Sequence, residues 1–229
     1  MRFVLVHGAW HGAWVWDAVV QHLEAAGCVV DVPELAIDQP FETYVEAVST
    51  VIASGDPAIL VGHSMAGAVI AQVAAMHPSK VTRLVYVCAF ALKDGECIND
   101  RARENIASGL RGNVSAGDDG LLRVSDHVIR QTFYHDCDPD TAAASIDRLR
   151  PQHPSGFSTA LDLAGADLES IEHQYIECIE DQAIHVSLQR QMAVHSGCTL
   201  INTMRCGHSP FLSAPAELVG HLLLSGPPA

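Results

Sequence analysis

A serine held on a tight strand-to-helix turn can attack a carbonyl, and Val61-Gly62-His63-Ser64-Met65-Ala66-Gly67 has the make-up of such a turn. An apolar run, Ala58-Ile59-Leu60-Val61, leads into it, and a small-residue helical pattern from Ala68 to Met76 leads out. Small flanks are needed because the turn crowds the backbone. Ala66 stands where glycine is usual, with Gly67 next. A serine hydroxyl is a poor nucleophile without a base in reach. His208, in Met204-Arg205-Cys206-Gly207-His208-Ser209-Pro210, is the candidate, and the glycine before it would give the loop freedom to aim the ring. The base needs a carboxylate to fix its tautomer. Asp181 is favoured over its neighbour Glu180. The competing reading makes Asp181 the N-cap of the next helix, with Glu180 the acid. The chain order Ser64, Asp181, His208 puts nucleophile, acid and base in one of the orders in which such triads occur. Acyl transfer also needs donors for a developing oxyanion. The backbone N–H of Met65 is one, and that of Ala9, in the loop His7-Gly8-Ala9-Trp10-His11-Gly12, is the other. Each residue has a plainer alternative: a buried serine at a helix start, a loop histidine on a backbone carbonyl, a glycine turn needed only for shape.

The elements that would position these groups alternate. Strands are expected at Arg2 to Val6, Cys28 to Val32, Ala58 to Val61, Arg83 to Ala89, Gln174 to Ile179 and Cys198 to Thr203. Helices are expected at Trp16 to Ala26, Phe41 to Ala53, after the serine turn, at Ala183 to His195 and at Pro215 to Leu224. Such βα alternation implies an α/β fold, a parallel sheet with helices on both faces. Active sites then lie beyond the C-terminal strand ends. The turns after the third, fifth and sixth strands carry Ser64, Asp181 and His208. The rhythm breaks between about Leu92 and Ala166, where no convincing strand is seen and helical segments fall at Asp100 to Ile106, Ser125 to Phe133 and Pro139 to Leu149. That stretch is too long for a loop and reads as an inserted cap, residues 92–166, in a core made of 1–91 and 167–229. The tail, Ser225 to Ala229, is expected to fray.

Composition narrows the functions. A net charge of −14 argues against nucleic acid, whose affinity rests on cationic contacts to phosphate. It also disfavours anionic substrates at long range, although the local potential of a pocket can differ. No apolar stretch is long enough to span a bilayer, and the first residues lack the regions of a signal peptide, so a cytoplasmic protein is expected. The seven cysteines are odd in number and irregular in spacing, which disfavours a disulfide framework or a zinc knuckle. The thirteen histidines show no His-Glu-x-x-His pattern, and no metal site is expected. Trp10, Trp14 and Trp16 read as packing residues rather than a binding platform, as do Phe133, Tyr134 and Phe157.

The run Val4-Leu5-Val6-His7-Gly8-Ala9-Trp10-His11-Gly12-Ala13-Trp14, the serine turn and the Gly207-His208 loop resemble the α/β-hydrolases of the hydroxynitrile lyase and plant methylesterase group. Bacterial carboxylesterases of that group are the nearest in kind. The resemblance implies a six-stranded α/β-hydrolase core with a helical cap, a triad of Ser64, His208 and Asp181, and oxyanion donors at Ala9 and Met65. It implies no cofactor and a small-molecule ester as the only necessary partner, with neither nucleic acid nor membrane. A homodimer is compatible with it. Members that act as lyases carry threonine after the first-strand histidine and lysine after the catalytic one; Gly8 and Ser209 stand there in this chain. Methylesterases usually have methionine in place of Ser209, and the segment from Pro33 to Phe41 is short beside typical members. The expected activity is therefore ester hydrolysis through an acyl-enzyme, with carbon–carbon lyase chemistry or a non-catalytic receptor as the alternatives.

Overall fold

The computed structural model describes residues 1–166, 168 and 170–224; the tail from Ser225 onward lies outside them. Six strands form one sheet in the order β2-β1-β3-β4-β7-β8, and every pairing is parallel. The strands are β1 (Arg2–Val6), β2 (Val29–Asp31), β3 (Ala58–His63), β4 (Val81–Val87), β7 (Glu172–Cys178) and β8 (Leu200–Met204). Their side chains alternate between two cores, as period-2 strands buried on both faces must. Phe3, Leu5, Ile59, Val61, Val85 and Val87 pack on one face, against α1 (Asp17–Ala25) and α10 (Pro215–Leu223). Val4, Val6, Leu60, Leu84 and Tyr86 pack on the other, against α2 (Phe41–Ser54), α3 (Ala66–Met76) and α8 (Val186–His195). Helix α3 is apolar nearly all round because it lies inside that second core, with Ala66 to Ala71 fully buried. Each large side chain buried this way contributes roughly 1.5–3 kcal/mol.

Between β4 and β7 the chain leaves the sheet. It forms α4 (Ile98–Ala102), α5 (Asp126–Phe133), α6 (Pro139–Ile146) and α7 (Ser155–Ser158). It also forms a short antiparallel hairpin, β5 (Val114–Ala116) with β6 (Leu122–Val124). The sequence gives little sign of this hairpin, because its strands are only three residues long and largely exposed. The Gly117 to Gly120 turn closes it, with Gly120 at φ +75°. Helix α4 starts and ends earlier than its pattern suggests. Cys97 caps it, with its N–H donating to the Asp100 carboxylate (3.2 Å), and the chain turns off after Ala102. Helix α8 starts at Val186 rather than Ala183, since residues 181–185 are drawn into a turn around Asp181.

Candidate active site

Strand β3 delivers Ser64 and α3 begins two residues later, so Ser64 is forced to φ +55°, in the left-handed region that non-glycine residues seldom enter. Its backbone is held there. Ser64 N donates to Val87 O (3.3 Å), and Ser64 O accepts from Gly67 N (3.2 Å) and Phe90 N (3.0 Å). The fit requires glycine on either side of the turn. A Cβ at Gly62 would lie 2.7 Å from Ala66 O, and one at Gly67 2.4 Å from Phe90 O. Ala66 departs from the usual pattern without cost because the close approach falls at Gly67. While its neighbours are buried, Ser64 is half-exposed.

Three chain segments meet at this serine. His208 Nε2 lies 3.1 Å from Ser64 Oγ, and His208 Nδ1 lies 2.8 Å from Asp181 Oδ2. With the carboxylate accepting from Nδ1–H, Nε2 is the free base facing the hydroxyl. The N-cap of the next helix is His185 rather than Asp181, and Asp181 divides its two oxygens. Its Oδ2 holds the histidine, while its Oδ1 accepts from the N–H groups of Ala183 (2.7 Å) and Ile184 (2.9 Å). Glu180 instead faces solvent beside Arg205, 3.6 Å away.

Groups that the sequence did not single out lock the arrangement. Buried Gln189 on α8 donates to Asp181 Oδ2 (3.1 Å) and Ile184 O (2.7 Å), and its Oε1 accepts from Cys178 N (3.0 Å). His63 Nε2–H donates to the backbone O of His208 (2.8 Å), which also accepts from the Cys88 thiol (3.5 Å). Asp136, in the loop after α5, accepts from Gly207 N at 2.6 Å. A Cβ at Gly207 would lie 2.6 Å from Asp136 Oδ1 and from His135 Cε1. Glycine precedes His208 because Asp136 must come close, not because the loop needs an unusual φ. Such contacts join residues far apart in the chain, and no local pattern announces them. His63, Cys88 and His208 also place potential metal ligands together, but both His208 ring nitrogens are already engaged by Asp181 and Ser64.

The loop after β1 faces the serine turn. A Cβ on Gly8 would lie 2.9 Å from His63 Nδ1 and 3.0 Å from Ser64 Cβ, so glycine is needed for approach. Two buried histidines shape the loop. Leu35 N–H donates to His7 Nε2 (3.0 Å), which leaves the proton on Nδ1, and Nδ1 donates to Gly8 O (3.0 Å). Gly8 O and Ala9 N–H belong to one planar peptide and point opposite ways, so His7 fixes the direction of the Ala9 N–H. Tyr134 OH donates to His11 Nε2 (2.8 Å), and His11 Nδ1–H donates to Ala9 O (2.7 Å). Burial pushes His7 down to about 4 and His11 to about 3, and His63 also well below the usual range, so all three rings are neutral at pH 7. The N–H groups of Ala9 and Met65 have no protein acceptor among the described residues.

A cavity of about 220 Å³ opens onto Ser64, walled by Trp10, Phe90, Ile98, Phe157 and Ile184. Trp10 and Phe157 thus line the site, contrary to the reading of these aromatics as mere packing. Trp10 adopts φ +62° and ties its indole N–H to Leu122 O (3.0 Å). Trp16 is core, Trp14 lies under the Arg148 guanidinium, and Phe133 stacks on the His208 ring at 5.3 Å.

The chain resembles known proteins along most of its length. It is 29% identical to a pyrethroid hydrolase of Sphingobium wenxiniae over 94% of this chain and 84% of that protein. It is 28% identical to methylesterase 9 of Arabidopsis thaliana, over 97% and 96%. The chain spans 63% of the length of a longer relative, the provisionally named chloroplastic methylesterase 11 of Arabidopsis thaliana. The crystal structure of a pyrethroid hydrolase from Sphingobium faniae JZ-2 superposes with a TM-score of 0.85 at 26% identity, covering 97% of this chain and 95% of that one. The model of the alpha/beta hydrolase family matches residues 3–221, and the chain belongs to that family.

Proposed function

We propose that the protein is a serine carboxylic-ester hydrolase acting through an acyl-enzyme. The observation that carries this reading is the hydrogen-bonded series from Ser64 through His208 to Asp181, with two unengaged backbone N–H groups, Met65 and Ala9, beside the serine. Ser64 Oγ attacks the ester carbonyl while His208 Nε2 takes its proton. The Met65 and Ala9 N–H groups receive the negative charge that develops on the carbonyl oxygen. His208 then protonates the departing alcohol, and water, activated by the same ring, releases the acid. Asp181 keeps the ring in one tautomer and offsets its charge. The names of the relatives support an ester as substrate. Residues 92–166 act as the cap of this pocket on a core of 1–91 and 167–229, and the enzyme works in the cytoplasm. Lyase chemistry would lack its charge-handling groups, since Gly8 has no hydroxyl and Ser209 no cation.

The test is hydrolysis of a panel of p-nitrophenyl and methyl esters by the wild-type protein and two variants. Ser64→Ala should lower kcat by about 10⁴-fold or more, and Asp181→Asn by about 10⁴-fold, with circular dichroism unchanged. Equal turnover in Ser64→Ala would remove the assignment.

A further inference from the structure

The cavity at Ser64 differs in charge from the molecule around it. The protein carries −14, yet none of the residues lining this cavity is acidic, and one, Arg111, is cationic. Most arginines of the chain are paired with a carboxylate, as in Arg2 with Asp31, Arg101 with Glu96, Arg123 with Asp119 and Arg190 with Glu177. Arg111 pairs with no carboxylate within 4.0 Å among the described residues; its guanidinium donates to Arg103 O (3.4 Å). Being exposed while lining the cavity, it sits where the pocket meets solvent. The same wall carries Asn105 and Ser108, both already bonded to Ala183 O, and Asn99, whose amide is exposed. The rest of the lining is largely apolar and includes Ile98, Ala102 and Leu110.

A largely apolar cavity whose lining holds both a nucleophile and an unneutralised guanidinium fits a particular ester. We propose that the pocket takes half-esters of dicarboxylic acids: an ester carbonyl at Ser64, a short methylene chain, and a terminal carboxylate on Arg111. This rests on the esterase reading above and names its substrate class. Arg111 is suited to the role because its planar fork meets a carboxylate with two hydrogen bonds. The step is ordinary hydrolysis: the acyl C–O bond breaks, the alcohol leaves with a proton, and water supplies the new oxygen, giving a dicarboxylate. Long-range repulsion from the acidic surface slows capture, and the local cation offsets it within a Debye length of about 8–10 Å.

The experiment compares kcat/KM for monomethyl and dimethyl esters of succinate, glutarate, adipate and pimelate. In the wild-type protein the half-ester should be preferred at one chain length. In Arg111→Met the half-ester to diester ratio should fall about five- to tenfold, with Arg111→Lys in between, and added salt should shrink the wild-type ratio. Because the ratio is taken within each enzyme, a general loss of activity cancels. An unchanged ratio in Arg111→Met, or a diester preference at every length, overturns the proposal. A second arm needs no turnover: calorimetric binding of monomethyl adipate to Ser64→Ala should weaken five- to tenfold when Arg111→Met is added, and equal affinity counts against Arg111. If half-ester and diester both resist hydrolysis, along with p-nitrophenyl acetate, the esterase reading fails while this binding arm still decides the role of Arg111.

Discussion

At the scale of single residues, the catalytic geometry depends on side chains that hold other side chains. Asp181 splits its two oxygens between His208 and the chain that follows it, and Gln189 braces the same carboxylate. Asp136 does comparable work on the other side of the base, through Gly207 N. Asp136→Ala should therefore let the His208 loop drift and lower kcat about tenfold with little change in KM. Asp136→Asn, which can still accept from Gly207 N–H, should recover most of the loss. Steady-state kinetics on both variants checks this, and equal rates for all three proteins would contradict it. The meeting of Ser64, His208 and Asp181 was legible in the sequence because each follows a strand end, and the proposed donors Ala9 and Met65 were named from the loops after the first and third strands. Asp136, His63 and Gln189 were not legible there, since their contacts span 71, 145 and 8 positions and depend on where a side chain points.

At the scale of elements, the serine turn works because β3, α3 and the loop after β4 meet with no spare volume. The cost of disturbing it can be stated for Gly67, where an added methyl would meet Phe90 O at 2.4 Å. Gly67→Ala should destabilise the fold by about 1–3 kcal/mol by forcing backbone apart. Urea unfolding measures this, and a midpoint unchanged from wild type would contradict the packing described here. The sheet was readable from the sequence because its central strands are continuous apolar runs and helical patterns separate the strands. The β5–β6 hairpin was not, because strands of three residues are too short for their alternation to stand out. Boundaries moved where a specific bond intervened, as at Asp181, which delays α8, and at Cys97, which advances α4.

At the scale of the whole molecule, the loop after β1 and the serine turn are built on three neutral histidines in a dry interior. The unfolded chain binds protons on these rings near pH 6.5, whereas burial holds His7 down to about 4 and His11 to about 3. Lowered values mean that the unfolded state takes up more protons as pH falls. Stability is thus full above about pH 7 and is lost progressively below pH 6.5, until each ring titrates in the fold. Each histidine contributes a slope of about 1.4 kcal/mol per pH unit over that window. Urea titrations from pH 7 to 5 should show stability falling, and His11→Asn should flatten the slope by about one histidine's share. A stability independent of pH between 7 and 5 would be inconsistent with neutral buried rings.

All scales converge on one claim, that Ser64 is a nucleophile made reactive by His208. Labelling with a fluorophosphonate, followed by peptide mass spectrometry, tests it most directly. Stoichiometric modification of Ser64 is expected in the wild-type protein, with a rate at least a hundredfold lower in a folded His208→Ala variant. A folded wild-type protein that stays unlabelled at Ser64, or one labelled equally fast without His208, would contradict it.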